Sequence, residues 1–188
     1  MYANYQAIGG KLKGLRSRAA IMEYLRELFD DAAYFDSHTA AYNTNRSRDL
    51  RGSRLDLKAL QPVRQGQMPM IFKTHRASDI RRIVSFAEER DIDVAIAGGA
   101  EAWKVKDLLA DQKVPVIAQP LKNLPSSFDT LDARLDNTKL LDEAGVPVII
   151  SSFATHRAST LRQVAGNAVG HGLPHSKALE AVTRRPAE

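Results

Sequence analysis

A chain of 188 residues, 44% hydrophobic and 26% charged, is long enough to bury a core of its own and has the make-up of an ordinary globular protein. No apolar run approaches the roughly 20 residues of a membrane helix, and with no cysteine the chain excludes disulfides and thiolate metal sites, leaving His, Asp, Glu and a modified Lys as conceivable ligands. The formal charge of +5 permits contact with an acidic surface, yet the arginines fall in short scattered pairs, the pattern of solvated helix faces rather than of a nucleic-acid footprint.

Met1 to Gly14 carry lysines and no continuous apolar stretch ahead of a small-residue cleavage site, so they do not read as a secretory signal. From Leu15 to Ala33, Ile21, Leu25, Leu28, Phe29 and Ala32 recur at helical spacing among Arg and Glu, which predicts a long amphipathic helix. Ser37 to Arg54 is polar and aperiodic, a loop or linker, and a short helix is expected from Leu55 to Leu60. Residues 1–66 are thus expected to form a helical lead-in and polar linker.

After Gly66 the organisation changes. Four apolar runs, 69–73, 93–97, 114–118 and 146–151, are each followed by residues at helical spacing: Ile80, Ile83, Val84 and Ala87; then Val105, Leu108 and Leu109; then Leu140, Leu141 and Ala144; then Leu161, Val164, Ala165 and Ala168. Short strands buried on both faces and joined by amphipathic helices predict a parallel α/β sheet over 67–188, because a parallel neighbour is reached only by a crossover. Thr-His-Arg-Ala-Ser follows a strand twice, at 74–78 and 155–159. This repeat reads either as a duplicated unit or as convergent capping, with Ser78 and Ser159 as N-caps.

Several ordered motifs carry a family resemblance: HRASDI at 75–80, GGAEAWKV at 98–105, NLPSSFDTLDARLDN at 123–137, AGNAV at 165–169 with HGLP after it, and the closing AVTRRPAE. Together with LDLKALQPVRQG at 55–66, they resemble the C-terminal part of imidazolonepropionase-like amidohydrolases, members of the metal-dependent hydrolase superfamily. The resemblance implies the C-terminal half of a (β/α)8 TIM-type barrel, about four βα units preceded by a long helix, with its chemistry at the C-terminal strand ends. It implies hydrolysis of carbon-nitrogen bonds in a small molecule, cyclic amides included, and zinc or another divalent metal as cofactor. No His-x-His pair, which such proteins carry on their first strand, occurs among His38, His75, His156, His171 and His175. The chain is therefore expected to be a fragment whose open edges self-associate or pair with a missing N-terminal half.

The resemblance places a metal-binding His of strand five at Lys73 or, with slippage, His75; that of strand six at Gly98; and the catalytic Asp of strand eight near Ser152 or Phe153. Gly and Phe offer no ligand atom, so no metal ligand is assigned. Lys73 and His75 are the candidate catalytic residues. Lys73 is an electrophile or carboxylate binder, or simply solvated, and His75 is a general base, a displaced ligand or a polar loop residue. Glu101, Asn123 and Ser126 are the candidate substrate contacts; helix-dipole stabilisation by Glu101 and self-contained loop packing by the other two are the competing readings. Against the enzyme stand a non-catalytic barrel homologue that binds a small ligand or partner and, more remotely, a nucleic-acid module.

Overall fold

The computed structural model describes residues 1–5 and 17–188, with the backbone alone at Asn4, Thr155 and Arg157. Its frame is one sheet of five strands: β1 (Tyr2–Asn4), β2 (Met70–Thr74), β3 (Val94–Gly98), β4 (Val116–Ala118) and β5 (Val148–Ile150). They lie side by side in chain order, every neighbouring pair parallel. The four strands expected after residue 66 are all present within about two residues of their anticipated bounds. The count of about four needs correction, because Tyr2–Asn4, within the stretch expected to be helical lead-in and linker, forms a fifth strand, paired Tyr2 to Ile71 and Asn4 to Lys73. Three residues carry too little periodicity to announce a strand; the pairing with β2 makes it one.

Each crossover is helical. Helices α1 (Arg18–Ser37), α2 (Thr39–Asn43) and α3 (Arg54–Arg64) stand between β1 and β2, and α4 (Ala77–Arg90) joins β2 to β3. Helix α5 (Lys106–Asp111) precedes β4, α6 (Asn137–Glu143) precedes β5, and α7 (Leu161–Gly170) and α8 (His175–Val182) follow it. The long helix expected from the sequence is α1, and Leu15, the start assigned to it, lies outside the described residues. Ser17 caps it, its hydroxyl accepting from the Ala20 N–H at 3.1 Å. Ser53 and Asp56 form a reciprocal capping box at the start of α3. Short α2 interrupts the stretch expected to be loop. Neither Ser78 nor Ser159 is an N-cap: α4 begins after Arg76, and Ser159 lies inside a 3-10 turn, Thr155–Thr160.

Burial along β2 alternates, and this alternation separates core from site. Met70, Phe72 and Thr74 are buried, while Ile71 and Lys73 on the other face are only half-buried. Phe72 meets Phe86 of α4 edge-on at 6.5 Å, and Phe86 meets Phe29 of α1 at 5.2 Å, so the helices pack on the first face through aromatic contacts. Parallel register places Ile71 beside Ala95, Lys73 beside Ala97, and Ala97, Ile117 and Ile149 in one row on the second face. Among the described residues no helix is long and apolar enough to cross a membrane.

Candidate functional site

In a parallel sheet every strand ends on the same edge, so whatever follows the strands collects there. Here that edge gathers Lys73 to His75 after β2, Gly98 to Glu101 after β3, Gln119 to Asn123 after β4, and Ser151 to Phe153 after β5. Backbone bonds fix their relative positions. Thr74 C=O accepts from Gly99 N–H at 2.8 Å, His75 C=O from Glu101 N–H at 2.9 Å, and Ala118 C=O from Ser151 N–H at 3.0 Å. The Gln119 side chain adds a 2.9 Å bond to Ser152 C=O.

His75 lies across Gly98. A Cβ at Gly98 would stand 2.6 Å from His75 Cε1 and 3.0 Å from Nδ1, and Gly98 has φ of +97°. Glycine is therefore required there twice over, by its backbone angle and by the imidazole that takes up the space of a side chain. Nδ1 is buried and has no hydrogen-bond partner. Burial, with the nearby Lys73 charge adding to it, pushes the imidazole below its ordinary value of 6.5, against the opposing pull of Asp129 and Glu101.

The direction of that shift fixes its effect on stability. A histidine whose folded value is lowered binds its proton more readily when unfolded. Its contribution is therefore intact above the unfolded value and is lost as pH falls below 6.5 toward the folded value. Melting the parent chain and His75→Gln between pH 8 and pH 5 checks this. The parent is expected to lose more melting temperature than the variant on acidification; equal losses would remove His75 as the responsible group.

Glu101 is only 8% exposed. Its carboxylate accepts from Ala77 N–H at 3.2 Å and Asp132 N–H at 3.5 Å, with Lys104 Nζ at 4.0 Å. It thus caps the neighbouring helix α4, where a negative charge meets the positive end of the dipole. Ser126 is exposed, and its N–H bonds Thr130 Oγ1 at 3.1 Å, as does that of Ser127, which makes a self-contained turn. Asn123 is 3% exposed, and its side-chain nitrogen is buried without a partner. Lys73, at the tip of β2 on the open face, has no ion pair among the described residues.

Two anchors of this edge were not singled out from the sequence. Asn137, fully buried at the start of α6, donates to Gly99 C=O at 3.0 Å and accepts from Trp103 N–H at 3.2 Å. Arg76 holds the loop after β4, with Phe128 C=O at 2.7 Å and Asp129 at 2.9 Å; Asp129 also takes Arg18 at 2.6 Å, and Arg18 in turn takes buried Asp79 at 2.6 Å. The motifs at 75–80 and 123–137 touch one another through this network.

Among the described residues no three His, Asp or Glu side chains converge as metal ligands do. The positions implied for ligands hold Lys73 or, with slippage, His75, whose Nδ1 is sealed against Gly98; Gly98 itself; and Ser152, whose hydroxyl is bonded to Ala154 C=O at 3.0 Å, or Phe153, which has no ligand atom. These residues do not by themselves fit a divalent metal. A cavity of about 990 Å³ lies elsewhere: it runs past Ile71, Ala95, Ile117 and Ile149 toward the N-terminal strand ends and the Arg185–Pro186 turn.

Fold and site together define an α/β protein built on a parallel sheet of five strands with a polar cluster at its carboxyl edge. The chain is similar to the crystal structure of an amidohydrolase from Thermotoga maritima MSB8, with a TM-score of 0.78 and 22% sequence identity over 91% of this chain. It spans 45% of that protein's chain, and the likeness is one of fold. No protein-family model and no curated protein sequence matches it.

Proposed function

We propose that the chain is part of an amidohydrolase-like hydrolase, supplying five consecutive βα-type strands of a (β/α)8 barrel whose mouth acts on a carbon-nitrogen bond of a small molecule. The observation that carries this reading is the run of parallel strands in chain order, superimposable over nearly the whole chain on an amidohydrolase. The imidazolonepropionase-like motifs at the strand ends support the finer assignment. The open face of Ile71, Ile117 and Ile149, and a sheet edge at both β1 and β5, suit closure by further parallel strands, from other polypeptide or a second copy.

In this reading Lys73 and His75 are the catalytic residues supplied by this chain. Water attacking an amide carbon drives negative charge onto the carbonyl oxygen, and the Lys73 ammonium, beside a neutral imidazole N–H, meets that charge where it develops. Asn123 offers its unpaired amide to a substrate polar group. Assaying the full chain, alone and with any co-purifying partner, against hydantoins, lactams and acyclic amides is expected to reveal turnover. Lys73→Met is expected to lower kcat by about a hundredfold or more, the cost of removing one oxyanion donor. Absence of hydrolysis across all three classes would leave the second reading, a ligand-binding barrel homologue, which the unmatched metal positions favour.

A further inference from the structure

The loop between β4 and α6 is built inside out. Of residues 124–131 only Thr130 is buried, while Leu124, Phe128 and Leu131 are exposed, Phe128 at 79%. A segment with its apolar side chains in water gains little from burial, so polar contacts must hold it in place. Its two ends are fixed. Pro120 and Asn123 are buried ahead of it; behind it, Asp132 C=O accepts from Trp103 Nε1 at 2.9 Å, the Asp132 carboxylate pairs with Lys104, and the Arg134 guanidinium lies over the Trp103 ring at 5.0 Å. The turn around Thr130 Oγ1, which takes the N–H groups of Ser126 and Ser127, keeps the middle together as a unit.

Among the described residues, the polar contacts from 124–131 to the rest of the chain all run through Phe128 and Asp129. Arg76 donates to Phe128 C=O at 2.7 Å and pairs with Asp129 at 2.9 Å, and Arg18 pairs with Asp129 at 2.6 Å. Arg18 also holds Asp79, in the first turn of α4, at 2.6 Å. The two carboxylates on Arg18 differ in burial: Asp79 is 3% exposed at its side chain and Asp129 27%. Parting Arg18 from Asp79 would strand a buried charge, whereas Asp129 can exchange its partners for water at little cost, so the network opens at Asp129. That point stands beside His75, since Arg76 is the next residue and the Asp129 charge reaches the imidazole.

We propose that residues 124–131 are a strap closed by a polar clasp: Asp129, gripped by Arg18 and Arg76, holds the segment against the carboxyl edge of the sheet, and release of Asp129 lets it swing between Asn123 and Asp132 and uncover His75. The start of α1 thereby controls access to a residue at the end of β2, through a salt bridge and not through packing. The inference rests on the proposed function only for the use made of that access; the clasp is measurable without turnover.

Because the chain has no cysteine, single cysteines can be spin-labelled cleanly. Distances between nitroxides at Phe128→Cys and at Leu179→Cys, exposed on α8, report the strap, and the pair Leu55→Cys and Leu179→Cys, both on helices, serves as control. With Asp129 in place the strap distance is expected to be a single narrow distribution. Asp129→Asn is expected to enlarge the released population at least about tenfold, Asp129→Glu to keep the narrow distribution, and the control pair to stay unchanged in both. At pH 8, where the His75 imidazole is neutral, its carbethoxylation is expected to quicken in Asp129→Asn while that of the exposed His38 and His175 does not. An unchanged strap distance in Asp129→Asn, broadening of the control pair with it, or His75 labelling that ignores the substitution each overturns the proposal. Turnover without a working clasp would remove the strap and keep the hydrolase, and a working clasp without turnover would remove the hydrolase and keep the strap.

Discussion

Gly98→Ala is expected to destabilise the chain by about 3 kcal/mol, a large effect for a single methyl group. Two costs combine. At φ of +97° an L side chain is strained wherever it points, which alone is worth about 1–3 kcal/mol. The new Cβ would also sit 2.6 Å from His75 Cε1 and 3.1 Å from Thr74 C=O, and only the first of these can move. The ring can rotate away by giving up its place in the mouth, whereas the Thr74 carbonyl is held by Gly99 N–H. Urea denaturation of Gly98→Ala, His75→Ala and the double variant separates the two. Removing the ring is expected to recover part of the loss and leave the backbone part in place. A Gly98→Ala chain within 0.5 kcal/mol of the parent would show that neither the angle nor the contact constrains this position.

The same glycine shows where sequence reasoning succeeds and where it stops. The strands after residue 66 were legible because Val94 to Gly98 and its counterparts are short apolar runs, and only buried parallel strands joined by helices satisfy that pattern. Gly98 was legible as a place where a ligand atom is missing. That His75 fills the space was not, since the two residues are 23 apart and meet only once β2 and β3 pair. Strand β1 was lost for the converse reason: Tyr2–Asn4 is too short to have a period, and its identity comes from its partner Ile71–Lys73. Glu101 was legible as a residue at the positive end of a helix, but the helix it caps is α4, not its own. Long-range polar contacts of this kind, Arg76 with Asp129 or Asn137 with Gly99, have no local signature, because a buried polar side chain is specified by the partner it finds.

Asn137→Asp is expected to cost about 3–4 kcal/mol near pH 7, although it changes one NH2 for one oxygen. The acceptor that serves Trp103 N–H survives. The donor to Gly99 C=O becomes a carboxylate oxygen facing a carbonyl oxygen at hydrogen-bond distance, in a site with no exposure. The consequence reaches the mouth, because Gly99 and Trp103 bracket Glu101, and Glu101 fixes the start of α4 and hence Arg76 and His75. The pH dependence distinguishes this account from generic damage. An Asp placed there is protonated more readily in the folded chain than in the unfolded one, since only the acid form regains a donor. Its penalty is therefore full above the folded pKa and fades as pH falls toward the unfolded value of about 3.9. Denaturation curves for parent and variant are expected to converge on acidification from pH 7 to pH 4.5. A deficit that stays constant over that range would mean that the lost bond to Gly99 is not its cause.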